Sequence, residues 1–231
     1  MEILVLCLAA ALAQEPRVVT PAASASSAPS DALLLGHSRW TTADGQPNRC
    51  RESQGEIVCT SGSGDIYSAE KFGSIQLHLE FNVPVMPGHK SQMKGNSGLY
   101  LMERYELQIL DSFENPTYVT GMLGALYGQA APLVNAARKP GEWQSYDVVF
   151  HAPQCDAAGK IAKPGTVTAL MNGILVQDHV QISEKADQQL KKDGGQGTCP
   201  PGRIRLQDHS GFKDAPVTVM KFRNAWVRRL E

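Results

Sequence analysis

The sequence has almost no excess charge. Lys and Arg number 22 against 23 Asp and Glu, for a formal net charge of -1. With no basic run either, nothing favours a nucleic-acid partner. Aromatic residues make up only 6%, which leaves few platforms on which a passive binding module could stack a sugar. No C-x-x-C spacing occurs, so a zinc site built on cysteine pairs is disfavoured. No apolar run is long enough to span a bilayer. Helical periodicity is also scarce. Only Ser183 to Lys192 reads as a helix, in the manner of a surface insertion.

What remains suits one domain with a full core, with 231 residues of which 42% are hydrophobic. The 21 glycines and 14 prolines imply many turns and therefore many short strands. Residues 1–13 read as a secretory signal. Ile3 to Ala13 is apolar and Ala11-Leu12-Ala13 forms a small-x-small cleavage pattern, although Glu2 precedes it with no Lys or Arg. Cys7, after bulky Leu6, comes too early for a lipoprotein cysteine. Residues 14–32 are rich in Ala, Ser and Pro and read as a linker. The folded domain is expected over 33–231, in a secreted or periplasmic protein. After the leader four cysteines remain, which in an exported chain suggests disulfides. Of the three possible connectivities, Cys50–Cys59 and Cys155–Cys199 are favoured, because each closes a Gly/Pro-rich loop.

Period-two alternation dominates the domain. Ile75, Leu77, Leu79 and Phe81 alternate with Gln76, His78, Glu80 and Asn82, and Gln144 to Phe150 behaves likewise. Thr166 to Met171 and Ile174 to Val180 flank Asn172-Gly173, a strong hairpin signal because both turn residues tolerate positive φ. Ile204 and Leu206 oppose Arg203, Arg205 and Gln207. Met220, Phe222 and Trp226 mark a last strand with Asn224 in register. The pattern predicts an all-β sandwich of two antiparallel sheets.

The segment Arg104-Tyr105-Glu106-Leu107-Gln108-Ile109-Leu110-Asp111 is the most informative. Tyr105, Leu107 and Ile109 share one strand face, and Arg104, Glu106 and Gln108 the other. A cation, a carboxylate and an amide on one face can hold a sugar and move its protons. The spacing E-x-Q-x-x-D is similar to the E-x-D-x-x-E strand of laminarinase-type jelly-roll glycosidases. Here the middle Asp is Gln108 and the last Glu is the shorter Asp111, which also needs a bulge to reach the same face. Two-carboxylate hydrolysis needs a controlled carboxylate separation, so the altered pattern points to other chemistry. The plain alternative is a solvated sheet face with Glu106 paired to Arg104.

A second cluster is Arg203 to His209, with Arg205 and Gln207 on one face and His209 at the strand end. Histidine serves as acid or base near neutral pH. Alternatively, Asp208 and His209 are turn residues bonded locally. Gly121 to Asn135 is a long loop carrying Tyr127 and Asn135, able to stack on a sugar and bond a hydroxyl, or to be purely structural. Trp143 is expected in core or hairpin packing. His37, His78, His89 and His151 are expected at the surface, and His179 can reach the polar face.

Taken together, GNSGLYL, RYELQILDSF, GALYGQAAPLVNAARKPGEWQSYDVVF, MNGILVQDHV, GRIRLQDHSG and FRNAWVRRL, in this order from about Phe72 to Leu230, resemble the 3-keto-disaccharide hydrolase family. The resemblance implies a concanavalin-like jelly roll and an exported bacterial protein acting on glycosides with a ketone at C3. Such a ketone acidifies the C2 hydrogen, so a base can remove it and expel the group on C1, after which water adds. This route needs one base, a group on the keto oxygen and an acid, not two carboxylates. On residue chemistry, Glu106 is expected as base or metal-orienting carboxylate. Arg104 or Arg205 is expected at the enolate oxygen, and His209 as acid oriented by Asp208. Gln108, Asp111, Asn96, Tyr127, Asn135, Arg205 and Gln207 are expected to bind sugar hydroxyls. The sequence requires no cofactor. A divalent metal on Glu106 and His209 is compatible with it but has no spacing signature. Two rivals remain: a β-glucanase on the same fold and a non-catalytic carbohydrate-binding domain.

Overall fold

The computed structural model describes residues 27–183, 199–211 and 215–230. The expected leader, most of the linker and all but the first residue of the expected helix lie outside them. Among the described residues fifteen strands carry the fold. The first eight are β1 (Leu33–Leu34), β2 (Trp40–Thr41), β3 (Arg51–Ser53), β4 (Glu56–Thr60), β5 (Ile66–Phe72), β6 (Ile75–Asn82), β7 (Asn96–Leu101) and β8 (Tyr105–Leu110). The rest are β9 (Trp143–His151), β10 (Gln154–Cys155), β11 (Ile161–Lys163), β12 (Thr166–Met171), β13 (Ile174–Gln181), β14 (Gly202–Leu206) and β15 (Val219–Arg229).

Two antiparallel sheets form a jelly-roll sandwich. The larger has eight strands in the order β13-β12-β9-β6-β15-β4-β3, with β1 on β15, and the smaller has five, β2-β5-β14-β7-β8. Alternation decides which side chains lie between them. Leu77, Leu79 and Phe81 of β6 and Tyr146, Val148 and Phe150 of β9 face Leu99, Leu101, Tyr105, Leu107, Ile109, Ile204 and Leu206 of the smaller sheet, all buried in one core. Burying each large apolar side chain stabilises the fold by about 1.5–3 kcal/mol. Tyr146 adds a polar tie across the sandwich. Its hydroxyl donates to the Gln108 carbonyl at 2.6 Å and accepts from the Gly124 amide at 2.9 Å, which fixes β8 and the following loop to the larger sheet.

The Asn172-Gly173 turn joins β12 and β13 with φ of 53° and 79°, as the dipeptide predicts. Disulfides join Cys50 to Cys59 and Cys155 to Cys199, the expected pairing, which fits an oxidising compartment. Among the described residues no helix is long and apolar enough to cross a membrane.

Three expectations on the outer face of the larger sheet are corrected. β15 is not in continuous register: a bulge falls between Arg223 and Trp226, with Asn224 at φ 48°. Met220 and Phe222 therefore face the core, whereas Trp226 turns outward. His78 is not at the surface. It is 2% exposed, stacked on Trp226 with ring centroids 5.6 Å apart and held by Asp147 at 2.7 Å. Trp143 lies half-buried on this face under the Arg223 guanidinium, 3.9 Å from its ring centre, rather than in the core.

Candidate active site

The polar face of the smaller sheet is ordered by strand register. Cross-strand partners put Tyr67 of β5, Arg205 of β14, Tyr100 of β7 and Glu106 of β8 in one row, because opposed residues point to the same face. A second row runs alongside. Gln207, just beyond β14, donates its amide to the Gly98 carbonyl at 3.1 Å, and Gly98 pairs with Gln108. Farther along, Asn96 meets His209, with Asn96 Nδ2 3.3 Å from His209 Nε2.

Glu106 is the centre of this surface. Its Oε2 accepts a 2.8 Å hydrogen bond from the Tyr100 hydroxyl, which in turn accepts from Gln207 Nε2 at 3.2 Å. Gly98 makes room for the carboxylate. A Cβ there would lie 2.5 Å from Glu106 Oε1 and 2.8 Å from Tyr100 Cε2, so any side chain would push the pair aside. Burial raises the Glu106 pKa to about 7, against the opposing pull of the Tyr100 hydrogen bond and the Arg205 charge. A carboxyl with a near-neutral pKa suits a general base working at neutral pH. Arg205 stacks on Tyr100, 3.5 Å from its ring centre, and pairs with Asp65 at 3.0 Å. It thus supports the row from behind its tyrosine.

The surrounding amides are fixed through their nitrogens. Gln108 donates to Gln92 Oε1 at 3.2 Å and the Gly121 carbonyl at 3.3 Å. Asn96 donates to the Gln92 carbonyl at 2.9 Å. The buried oxygens Asn96 Oδ1, Gln108 Oε1 and Gln207 Oε1 have no hydrogen-bond partner within the protein. Unpartnered buried acceptors are costly. A polyol that donates several hydroxyl protons would satisfy them. Burial lowers the His209 pKa below its ordinary value, which favours the neutral imidazole.

The strand face thus gathers Glu106, Gln108, Asn96, Arg205, Gln207 and His209. Four expected residues stand elsewhere. Arg104 lies in the tight turn joining β7 to β8, where Met102 and Glu103 have φ of 54° and 63°, and donates to the Pro200 carbonyl at 3.0 Å. No bulge interrupts the pairing of β8 with β7, so Asp111 keeps the parity of the core face. It is 1% exposed and pairs with Lys94 at 3.0 Å. Asp208 Oδ2 accepts the amides of Gly62 and Gly64, each at 2.8 Å, so it closes a loop instead of chiefly aligning His209. Asn135 spends its amide on the Ser112 carbonyl and the Ala137 amide, a structural role in the loop.

Several residues here carried no signal in the linear pattern. Tyr100 was legible only as a strand residue of GNSGLYL, and Gln92 and Tyr118 lie in loops. Tyr118 and Tyr127 flank the open edge of β8. Leu126 bridges Leu107 and the Tyr127 amide donates to the Glu106 carbonyl at 2.9 Å, so Tyr127 stands opposite Glu106 in the same row. Among the described residues no group of three or more His, Cys, Asp or Glu side chains gathers as a metal site. Of the two ligands expected for a metal, Glu106 belongs to the Tyr100 pair and His209 to the Asn96 end of the face.

The family profile of the 3-keto-alpha-glucoside-1,2-lyase-like domain matches residues 35–228. A crystal structure of a Parabacteroides distasonis ATCC 8503 protein with a provisional glycosyl hydrolase designation is 35% identical. The match covers 94% of this chain and 92% of that one, with a TM-score of 0.81. A second protein of that organism and designation is 19% identical over 87% of this chain and 94% of its own, with a TM-score of 0.59, and shares the fold. No curated protein matches the chain. On the profile match and the 35% identity, the chain belongs to the 3-keto-alpha-glucoside-1,2-lyase-like domain family.

Proposed function

We propose that this chain is an exported, carbohydrate-active enzyme that cleaves the glycosidic bond of 3-keto-glycosides by elimination across C1 and C2, followed by addition of water. One observation carries the reading: the Glu106 carboxylate, with a pKa of about 7, lies over the side-chain-free Gly98 between amide oxygens that lack donors. The base removes the C2 proton, which the adjacent ketone acidifies. Gln108, Gln207 and Asn96 accept sugar hydroxyls and set the ring over Glu106. The neutral His209 beside Asn96 offers an N–H or a lone pair at the far end of the ring. The two disulfides and the leader-like start support export.

The β-glucanase reading is less well supported. The E-x-Q-x-x-D strand supplies one carboxylate to this face, since Gln108 is an amide and Asp111 points to the core side. The test is release of the aglycone from a 3-keto-glucoside and from its unoxidised parent, by the wild type and by Glu106→Gln. Cleavage of the keto substrate alone, lost in the variant, is expected. Cleavage of the unoxidised glucoside, or full turnover by Glu106→Gln, would overturn the reading.

A further inference from the structure

The elimination needs a proton for the departing oxygen, and neither His209, the acid expected from the sequence, nor the nearby cations are well placed to give it. His209 is beside Asn96 at the far end of the amide row. Lys94 is paired with Asp111 and Arg205 with Asp65. The edge of β8 offers another source. The hydroxyls of Tyr118 and Tyr127 are 2.5 Å apart, and their rings meet edge to face at 6.2 Å. The pair is 48% and 39% exposed, so a bound ligand can reach it. Gly121 lies beneath it, where a Cβ would press on the Tyr118 ring in its present position.

We propose, on the basis of the elimination reading above, that the Tyr118–Tyr127 hydroxyl pair is the acid that protonates the leaving oxygen. Geometry supplies the argument. The C2 hydrogen and the C1 oxygen sit on adjacent carbons, so base and acid must be near neighbours. Tyr127 stands directly opposite Glu106 across the edge of β8, joined to it by the 2.9 Å backbone hydrogen bond, and opposed residues of an antiparallel pair are about 5 Å apart. In a phenol pair one hydroxyl donates to the other, so one proton points outward. Once that proton is given up, the phenolate is held by its partner's O–H, a charge-assisted bond. Burial and the partner hydroxyl hold the Tyr118 phenol well above its ordinary pKa, so it keeps its proton until the leaving oxygen takes one from the pair.

The step balances. Glu106 takes the C2 proton, leaving the C–H electron pair in an enolate with the C3 ketone, and as the ketone re-forms that pair becomes the C1=C2 bond. The C1–O bond breaks with its pair on oxygen, and that oxygen takes the phenol proton. The products are the free alcohol and a 3-keto-glycal. The proton on Glu106 then resets the phenolate, and water adds across C1=C2, hydroxyl to C1 and hydrogen to C2.

The experiment compares Tyr118→Phe and Tyr127→Phe with wild type on methyl and 4-nitrophenyl 3-keto-glucosides. The nitrophenolate leaves without protonation, whereas methanol cannot. Turnover of the methyl glycoside should fall roughly 100- to 1000-fold, the usual range for loss of a general acid. Turnover of the nitrophenyl glycoside should stay within about threefold, since its departure needs no acid. In D2O the variants should still exchange the C2 hydrogen of the methyl glycoside, because Glu106 is intact. Equal losses on both substrates, or no loss on either, would overturn the assignment while leaving the elimination reading in place. A wild type that cleaves neither substrate would remove both.

Discussion

Replacing Glu106 with Gln should stabilise this protein above neutral pH while abolishing its turnover. The amide keeps the side chain's size and a carbonyl oxygen able to accept the Tyr100 hydrogen bond. It removes a charge that burial disfavours. Folding lifts this pKa from 4.5 to about 7. The native state therefore holds its proton longer than the unfolded chain. The stability tied to the protonated form is present below the unfolded pKa and is lost as pH rises through the folded one. At about 1.4 kcal/mol per pH unit, the ionised carboxylate costs the fold about 3 kcal/mol above neutral pH. For a chain of this size that corresponds to roughly 5–10 °C in Tm. Thermal unfolding of both proteins at about pH 4 and about pH 8, which bracket the unfolded and folded titrations, checks the claim. Their Tm values should lie close together at the lower pH, and the variant should gain the full difference at the higher one. A gap that does not change between the two would refute the argument, because it would show that Glu106 titrates alike in the folded and unfolded chain.

The same titration should appear in the rate: kcat/KM should rise with pH on an acid limb centred near 7, where Glu106 ionises, as a pH series on a 3-keto-glucoside would show. Tyr100→Phe removes the hydrogen bond that lowers this pKa, so the limb should move to higher pH, a shift a merely structural loss would not produce. Gly98→Ala should cost roughly 100-fold or more in kcat by displacing the base, an effect in line with small misplacements of catalytic groups. Its Tm should change little beside that loss. Tyr146→Phe removes both bonds of its hydroxyl and leaves the Gly124 amide only its 3.2 Å bond to the Gln108 carbonyl. It should lower stability by about 1–3 kcal/mol in denaturant unfolding.

Much of this architecture was legible because alternation encodes burial directly. Glu106 and Gln108 of β8 and Arg203 and Arg205 of β14 were placed on the polar face by a two-residue period that packing had no reason to override. The misreadings share a cause: they fall where the period is broken or stops. The Arg223–Trp226 bulge reverses parity in β15, sending Trp226 outward to cover His78. Asn224 carries the φ of 48° there, yet Asn in a strand gives no warning that a residue has been inserted. Arg104 shares the parity of Glu106 but lies in the turn, where side chains splay away from the sheet. Asp111 follows the last paired residue, and without a bulge it stays on the core side with Lys94.

The candidate site shows the same division. Residue types singled out Glu106, Gln108, Gln207 and His209 as candidates because acids, amides and imidazoles advertise chemistry in a linear string. Tyr100 did not, since a tyrosine in an alternating strand has ordinary β-propensity and needs no function to explain it. Its place follows from register alone: pairing Tyr100 with Glu106 on one side and Arg205 on the other sets its hydroxyl to donate to the proposed base. Gly98 follows the same logic from the opposite direction. Its significance is the volume it leaves empty, which becomes visible only when Glu106 is seen leaning across from the neighbouring strand. A pattern that reads one strand at a time can find the base. It cannot find the two neighbours, one donating and one absent, that position it.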